Sequence, residues 1–161
     1  MDGLRELYQE VILDHGKNPR NFGRPVCHEV SYQADGSNPL CGDNISVYLN
    51  IDNNGIVTNA AFDGRGCAIS QASASLMTEI VVGKTKEQIE LLFNCFHKMC
   101  TAKDQQTETY IDFADDMDRL QVLSGVRQYP VRVKCATLAW HTMSVALKGE
   151  RNNNACCRVV T

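Results

Sequence analysis

The order of local signals predicts an α+β fold, a small antiparallel three-stranded sheet with helices packed on it. Three observations carry this. The first residues repeat with a helical period, two β-branched runs are joined by a hairpin turn, and the pattern turns helical again after Gly64-Arg65-Gly66. The chain of 161 residues can bury one core, so one domain is expected over residues 1–148, followed by a flexible polar tail over 149–161.

The elements follow in order. Leu4, Leu7, Tyr8, Val11 and Ile12 share one face of a helix over residues 2–15. Lys17-Asn18-Pro19-Arg20-Asn21-Phe22-Gly23 breaks it. A weak strand is expected over Cys27–Tyr32, and clearer ones over Ile45–Ile51 and Ile56–Phe62, joined at Asp52-Asn53-Asn54-Gly55. Ser37-Asn38-Pro39-Leu40 reads as a loop. Cys67–Val82, rich in Ala, Ser, Leu and Met, reads as a helix with a small-residue packing face, ended by Gly83. Thr85 and Gln88 resemble a capping box for a helix running to Ala102. Lys103–Asp112 is polar and loop-like, a short helix over 115–123 stops near Ser124-Gly125, and Pro130 suits the first turn of a last helix ending near Leu147.

Composition narrows the function classes. A net charge of −3 offers no basic surface for nucleic acid. No apolar run approaches the roughly 20 residues that span a bilayer, so no membrane partner is expected. The opening residues lack the basic-then-apolar pattern of a signal peptide, which predicts a reducing, cytoplasmic address. In that compartment eight cysteines point to metal or thiol chemistry for some and to packing for the rest, not to disulfides.

Three cysteines have surroundings that suit chemistry. Cys41 and Asp43 lie two apart on extended chain and point the same way, with Gly42 letting the backbone curl between them. The tripeptide alone does not separate a ligand pair from an ordinary loop. Cys67 opens a helix, where free N–H groups favour the thiolate, though a small buried residue fits there equally. Cys135 shares a helix face with Val131, Leu138, Thr142 and Val145, the pattern of a core position. Arg132 and Lys134 nearby would instead stabilise a thiolate. Together Cys41, Asp43, Cys67 and Cys135 make a three-sulfur, one-oxygen set suited to tetrahedral zinc.

The remaining candidates read as structural. Cys95 and His97 point to different helix faces, so Cys95 and Cys100 are expected to be partly buried. Cys156-Cys157 is a poor chelate in a tail, and Cys27 is a strand residue. His15, His28 and His141 are expected as surface or capping residues, and Trp140 as an anchor on the last helix.

Four segments, in order over residues 7–140, resemble the SufU branch of the IscU/NifU superfamily of iron–sulfur assembly proteins. They are Leu7-Tyr8 with Val11–His15 and Lys17–Asn21; Asn38-Pro39-Leu40-Cys41-Gly42-Asp43; Phe62–Ser75 around Gly64-Arg65-Gly66-Cys67; and Leu123–Arg127 with Tyr129–Trp140 around Lys134-Cys135. Scaffold-type members carry His immediately before the third cysteine, whereas this chain has Lys134, preceded by a longer segment over about 103–125. Both features match the SufU branch. The resemblance implies a zinc-dependent sulfurtransferase with Cys41, Asp43, Cys67 and Cys135 on zinc and Cys41 as sulfur acceptor. It also implies a SUF-type cysteine desulfurase as donor, whose His would take the place of Cys41 on the metal, and a downstream SUF cluster scaffold. Two rivals use the same residues: an assembly scaffold holding a transient [2Fe–2S] cluster, and a domain that zinc merely secures. Cys95, Cys100 and the Cys-Cys tail fall outside the family pattern.

Overall fold

The computed structural model describes residues 2–25, 30–101, 113–149 and 157–160. Helix α1 (Asp2–Lys17) precedes an antiparallel meander of β1 (Tyr32–Asn38), β2 (Asp43–Ile51) and β3 (Val57–Arg65). Helices α2 (Ala68–Val81) and α3 (Lys86–Thr101), a short α4 (Ala114–Leu120) and a 3-10 turn (Gln121–Gln128) lead into α5 (Pro130–Lys148). The expected three-stranded antiparallel sheet is present, and a short strand β4 (Cys157–Val160) adds to it in parallel beside β1, in the order β3-β2-β1-β4. Part of the segment read as a flexible tail is therefore a strand, while residues 150–156 lie outside the described residues.

The first strand is displaced from its expected place. It runs over Tyr32–Asn38, not Cys27–Tyr32, and residues 26–29, including Cys27 and His28, lie outside the described residues. Its inward positions are Ala34, Gly36 and Asn38, none of them β-branched or aromatic, so propensity gives little signal there. Packing explains the choice: α5 lies directly on β1, and small side chains admit the close approach. The β2–β3 turn is closed by Asp52, whose carboxylate accepts the N–H groups of Asn54 at 2.9 Å and Ile56 at 3.0 Å.

Helix α2 is sandwiched between α1 and α5, which its small residues permit. Its buried hydroxyls find partners in its neighbours. Ser75 Oγ accepts the Arg20 N–H at 2.8 Å and meets His15 Nδ1 at 2.7 Å, and Ser73 Oγ accepts the Trp140 indole N–H at 3.2 Å. His15 is thus buried, contrary to the surface role expected of it, because Ser75 supplies the partner a buried imidazole needs. Trp140 is fully buried and packs against Phe93 and Phe96, with ring centroids 6.0 and 5.0 Å away.

The capping box is present: Thr85 N–H donates to Gln88 Oε1 at 2.9 Å, and Gln88 N–H to Thr85 Oγ1 at 3.3 Å. The expected short helix over 115–123 is instead α4 followed by the 3-10 turn, which runs through Gly125 to Gln128. The expected loop over Lys103–Asp112 lies outside the described residues. Cys95 and Cys100 are buried in the apolar face of α3, while His97 is exposed. Burial pushes the Cys100 thiol up to about 12, so it is unreactive at neutral pH. Among the described residues, no helix is long and apolar enough to cross a membrane.

Two outcomes follow for stability. Thr85→Ala removes one half of the capping box and should cost about 1 kcal/mol in urea denaturation, with Thr85→Ser close to the parent. Burial, then the nearby Arg20 charge, lowers the His15 pKa, and burial and then His97 lower that of His141. Below the ordinary imidazole value of 6.5 the unfolded chain takes up protons that the folded chain refuses. Stability should therefore fall as pH drops through that value toward the lowered ones. His15→Gln should flatten this slope in urea titrations at pH 7.5 and 5.5, and an unchanged slope would remove His15 from the account.

Candidate metal centre

The site forms where the β1–β2 turn meets the N-terminal ends of α2 and α5. Asn38 and Asp43 are directly opposed in the β1–β2 ladder, and the turn between them is closed by Cys41 N–H donating to the Asn38 carbonyl at 3.2 Å. Gly42 takes φ +71°, a left-handed conformation that a side chain resists, and this folds Cys41 back over the strands. From α5, Cys135 reaches the same point, its Sγ 3.2 Å from Cys41 Sγ. One donor atom from each of Cys41, Asp43 and Cys135 lies within 4.8 Å of the other two.

Cys67 joins through its backbone. It is the N-cap of α2, its N–H donates to Asp43 Oδ1 at 3.0 Å, and its Sγ accepts the Ser70 N–H at 3.5 Å. The Cys67 sulfur thus stands at the helix entry, outside the group formed by the other three donors. Gly66 makes room for this contact, since a Cβ there would come within 2.6 Å of Asp43 Oδ1. The predicted ligand set is therefore gathered in one place, with three donors converging and the fourth beside them.

The surroundings favour a cation. Cys135 and Asp43 are both buried, at 0% and 1% exposure, while Cys41 and Cys67 are half-buried. Burial, then the contacts with Cys41 and Asp43, pushes the Cys135 thiol well above its ordinary range. Three buried side-chain atoms among the described residues lack a hydrogen-bond partner, namely Asn38 Oδ1, Asp43 Oδ2 and Ser70 Oγ. Each belongs to a residue in contact with this centre. A buried carboxylate oxygen and a buried thiol that must lose its proton both call for positive charge. Two thiolates and a carboxylate in reach, with a third thiol adjacent, match the donor chemistry of zinc. Arg132 faces the same sulfurs: the charge of Cys67 first, then a hydrogen bond to Cys135, holds its pKa above the ordinary value. Lys134, expected to assist, is exposed.

Asn38, Gly66 and Ser70 also contribute. All three lie in the segments that resemble the family, but nothing local marks them as part of the site, because their role depends on Asp43 arriving from another strand.

The NifU-like N-terminal domain family matches residues 7–136. The zinc-dependent sulfurtransferase SufU of Bacillus subtilis is 39% identical over 94% of this chain and 96% of its own. The iron–sulfur cluster assembly scaffold protein IscU of Streptococcus pyogenes serotype M1 is 36% identical over 92% of this chain and 87% of its own. The solved structure of FiSufU from Fervidobacterium islandicum AW-1, described as an iron–sulfur cluster assembly scaffold protein for the SUF system, superimposes with a TM-score of 0.68 at 30% identity, covering 89% of this chain and 98% of that one. With the fold and a match over most of its length in agreement, the chain belongs to the NifU-like N-terminal domain family, in its SufU/IscU-like group.

Proposed function

We propose that the chain is a zinc-dependent sulfurtransferase that accepts persulfide sulfur on Cys41 from a cysteine desulfurase and hands it on toward iron–sulfur cluster assembly. The observation that carries this reading is the convergence of Cys41, Asp43 and Cys135 within 4.8 Å, with Cys67 tied to Asp43 through its N–H. Cys41, Asp43, Cys67 and Cys135 would hold the metal. Zinc, when bound, supplies the positive charge that keeps these thiols ionised at neutral pH.

The chain's own residues divide the work. Asp43 is fixed by the Cys67 N–H and contributes a hard oxygen that cannot act as a sulfur nucleophile. Cys135 is buried and held by a helix, whereas Cys41 rides a short glycine-containing turn and is partly open to solvent. Cys41 is therefore the thiolate able to leave the cluster and attack. In the transfer, the Cys41 thiolate forms a bond to the outer sulfur of the donor persulfide, the donor's S–S bond breaks, and the donor departs as a thiolate. Arg132 stands where it can stabilise negative charge on the sulfurs. Leu40, next to Cys41, is 74% exposed, and Tyr129 and Val131 flank Arg132 with similar openness. Bare apolar side chains beside a nucleophile suit a protein donor better than a small molecule. This supports a protein donor, which on this reading is a SUF-type cysteine desulfurase, with a SUF cluster scaffold as recipient.

A scaffold reading has its own support in the IscU-named relatives, since thiolates also ligate iron. Lys134 in place of the His of scaffold members weighs against it, as does a 39% match to a relative named as a sulfurtransferase. Incubation with a SUF-type cysteine desulfurase and cysteine separates the two. The sulfurtransferase reading predicts faster alanine release and a gain of one sulfur in intact mass on Cys41, both abolished by Cys41→Ala and by prior zinc removal. Absence of any sulfur adduct, together with stoichiometric iron and sulfide after anaerobic reconstitution, would establish the scaffold instead.

A further inference from the structure

Asn38 is the last residue of β1, fully buried, and directly opposite Asp43 in the ladder. Its amide Nδ2 points at Cys135 Sγ from 4.0 Å, while its Oδ1 has no partner among the described residues. A buried amide with one unsatisfied end is an expensive choice for a position that an apolar residue could fill. The orientation is nonetheless the favourable one. With nitrogen and oxygen exchanged, the carbonyl would face the sulfur and repel its thiolate, whereas the N–H group stabilises it. The Val131 carbonyl, 3.8 Å from the same sulfur, can only accept and so offers a thiolate nothing. Cys41 is placed differently, on the turn whose first residue is Asn38 and whose Leu40 is mostly exposed.

We propose that Asn38 is a positioning residue whose side-chain N–H holds Cys135 as the retained sulfur ligand, leaving Cys41 as the one released for attack. A hydrogen bond to a thiolate lowers its nucleophilicity and fixes its direction, and both effects make attack by that sulfur less favourable. The asymmetry between two sulfurs only 3.2 Å apart then has a source besides loop mobility. The Asn38 main chain closes the turn that carries Cys41, so one residue orients both sulfurs, the first by its carbonyl and the second by its amide. This inference rests on the sulfur-acceptor reading above and adds the residue that selects between the cysteines.

The test is alkylation of the zinc-loaded protein with iodoacetamide, with the rate at each cysteine followed by mass spectrometry. In the parent, Cys41 should react well ahead of Cys135. Asn38→Ala should reduce that preference about tenfold, the scale of losses when an outer-shell partner of a metal ligand is removed. Asn38→Gln, which keeps an amide N–H able to reach the sulfur, should keep most of it. Preference retained in both variants, or lost equally in both, would overturn the proposal, the latter by showing a packing role. If the Ala variant does not fold, Asn38→Leu keeps the volume without a donor: loss of preference there supports the proposal and retention overturns it. A parent protein that shows no preference for Cys41, or fails to load zinc, would instead contradict the sulfur-acceptor reading itself.

Discussion

A buried carboxylate organises this molecule. Asp43 begins β2 at 1% exposure, with one oxygen on the Cys67 N–H and the other unpartnered among the described residues. Leaving a charge there unpaired would cost several kcal/mol, so the fold is constrained to bring compensation to it. The N-terminal end of α2 supplies part through its N–H groups and dipole. A cation shared with the neighbouring sulfurs would supply the rest. The close approach of Gly66 and the packing of α5 on β1 and β2 position the groups that answer this demand.

The scaffold separates rigid from movable parts of the site. Cys135 is set by α5, which the buried Trp140 anchors against α2 and α3 through Ser73, Phe93 and Phe96. Asp43 is set by the sheet, and Cys67 by the start of a helix packed between α1 and α5. Cys41 alone sits on a tight turn outside regular structure. Where a site must retain a metal and yet free one sulfur, this division assigns the second task to the residue with the least support.

Much of this was legible in the residues and some was not. The hairpin of β2 and β3, the α2–α3 pair with its capping box, and α5 with Pro130 in its first turn followed from period and turn chemistry, which are local. The first strand was misplaced because Ala34, Gly36 and Asn38 carry no β signal, and only contact with α5 and β2 makes that segment extended. The burial of His15 is not legible locally either, since its partner Ser75 lies 60 residues away. The ligand set could be named from the cysteine motifs and their resemblance to a family. Their convergence could not be seen from spacing, because Cys41 and Cys135 stand 94 residues apart and meet only through the packing of α5. Asn38, Gly66 and Ser70 lie in the motif segments, but their roles at the site exist only once Asp43 is in place.

Four residues, from the β1–β2 turn, β2, the N-cap of α2 and α5, would share one zinc ion, with a single oxygen among three sulfurs. X-ray absorption at the zinc edge of the purified protein tests it most directly. The account predicts three sulfur neighbours at about 2.3 Å and one oxygen at about 2.0–2.2 Å, with the oxygen shell altered in Asp43→Ala. A shell of four sulfurs, or one unchanged by the Asp43 substitution, would contradict it.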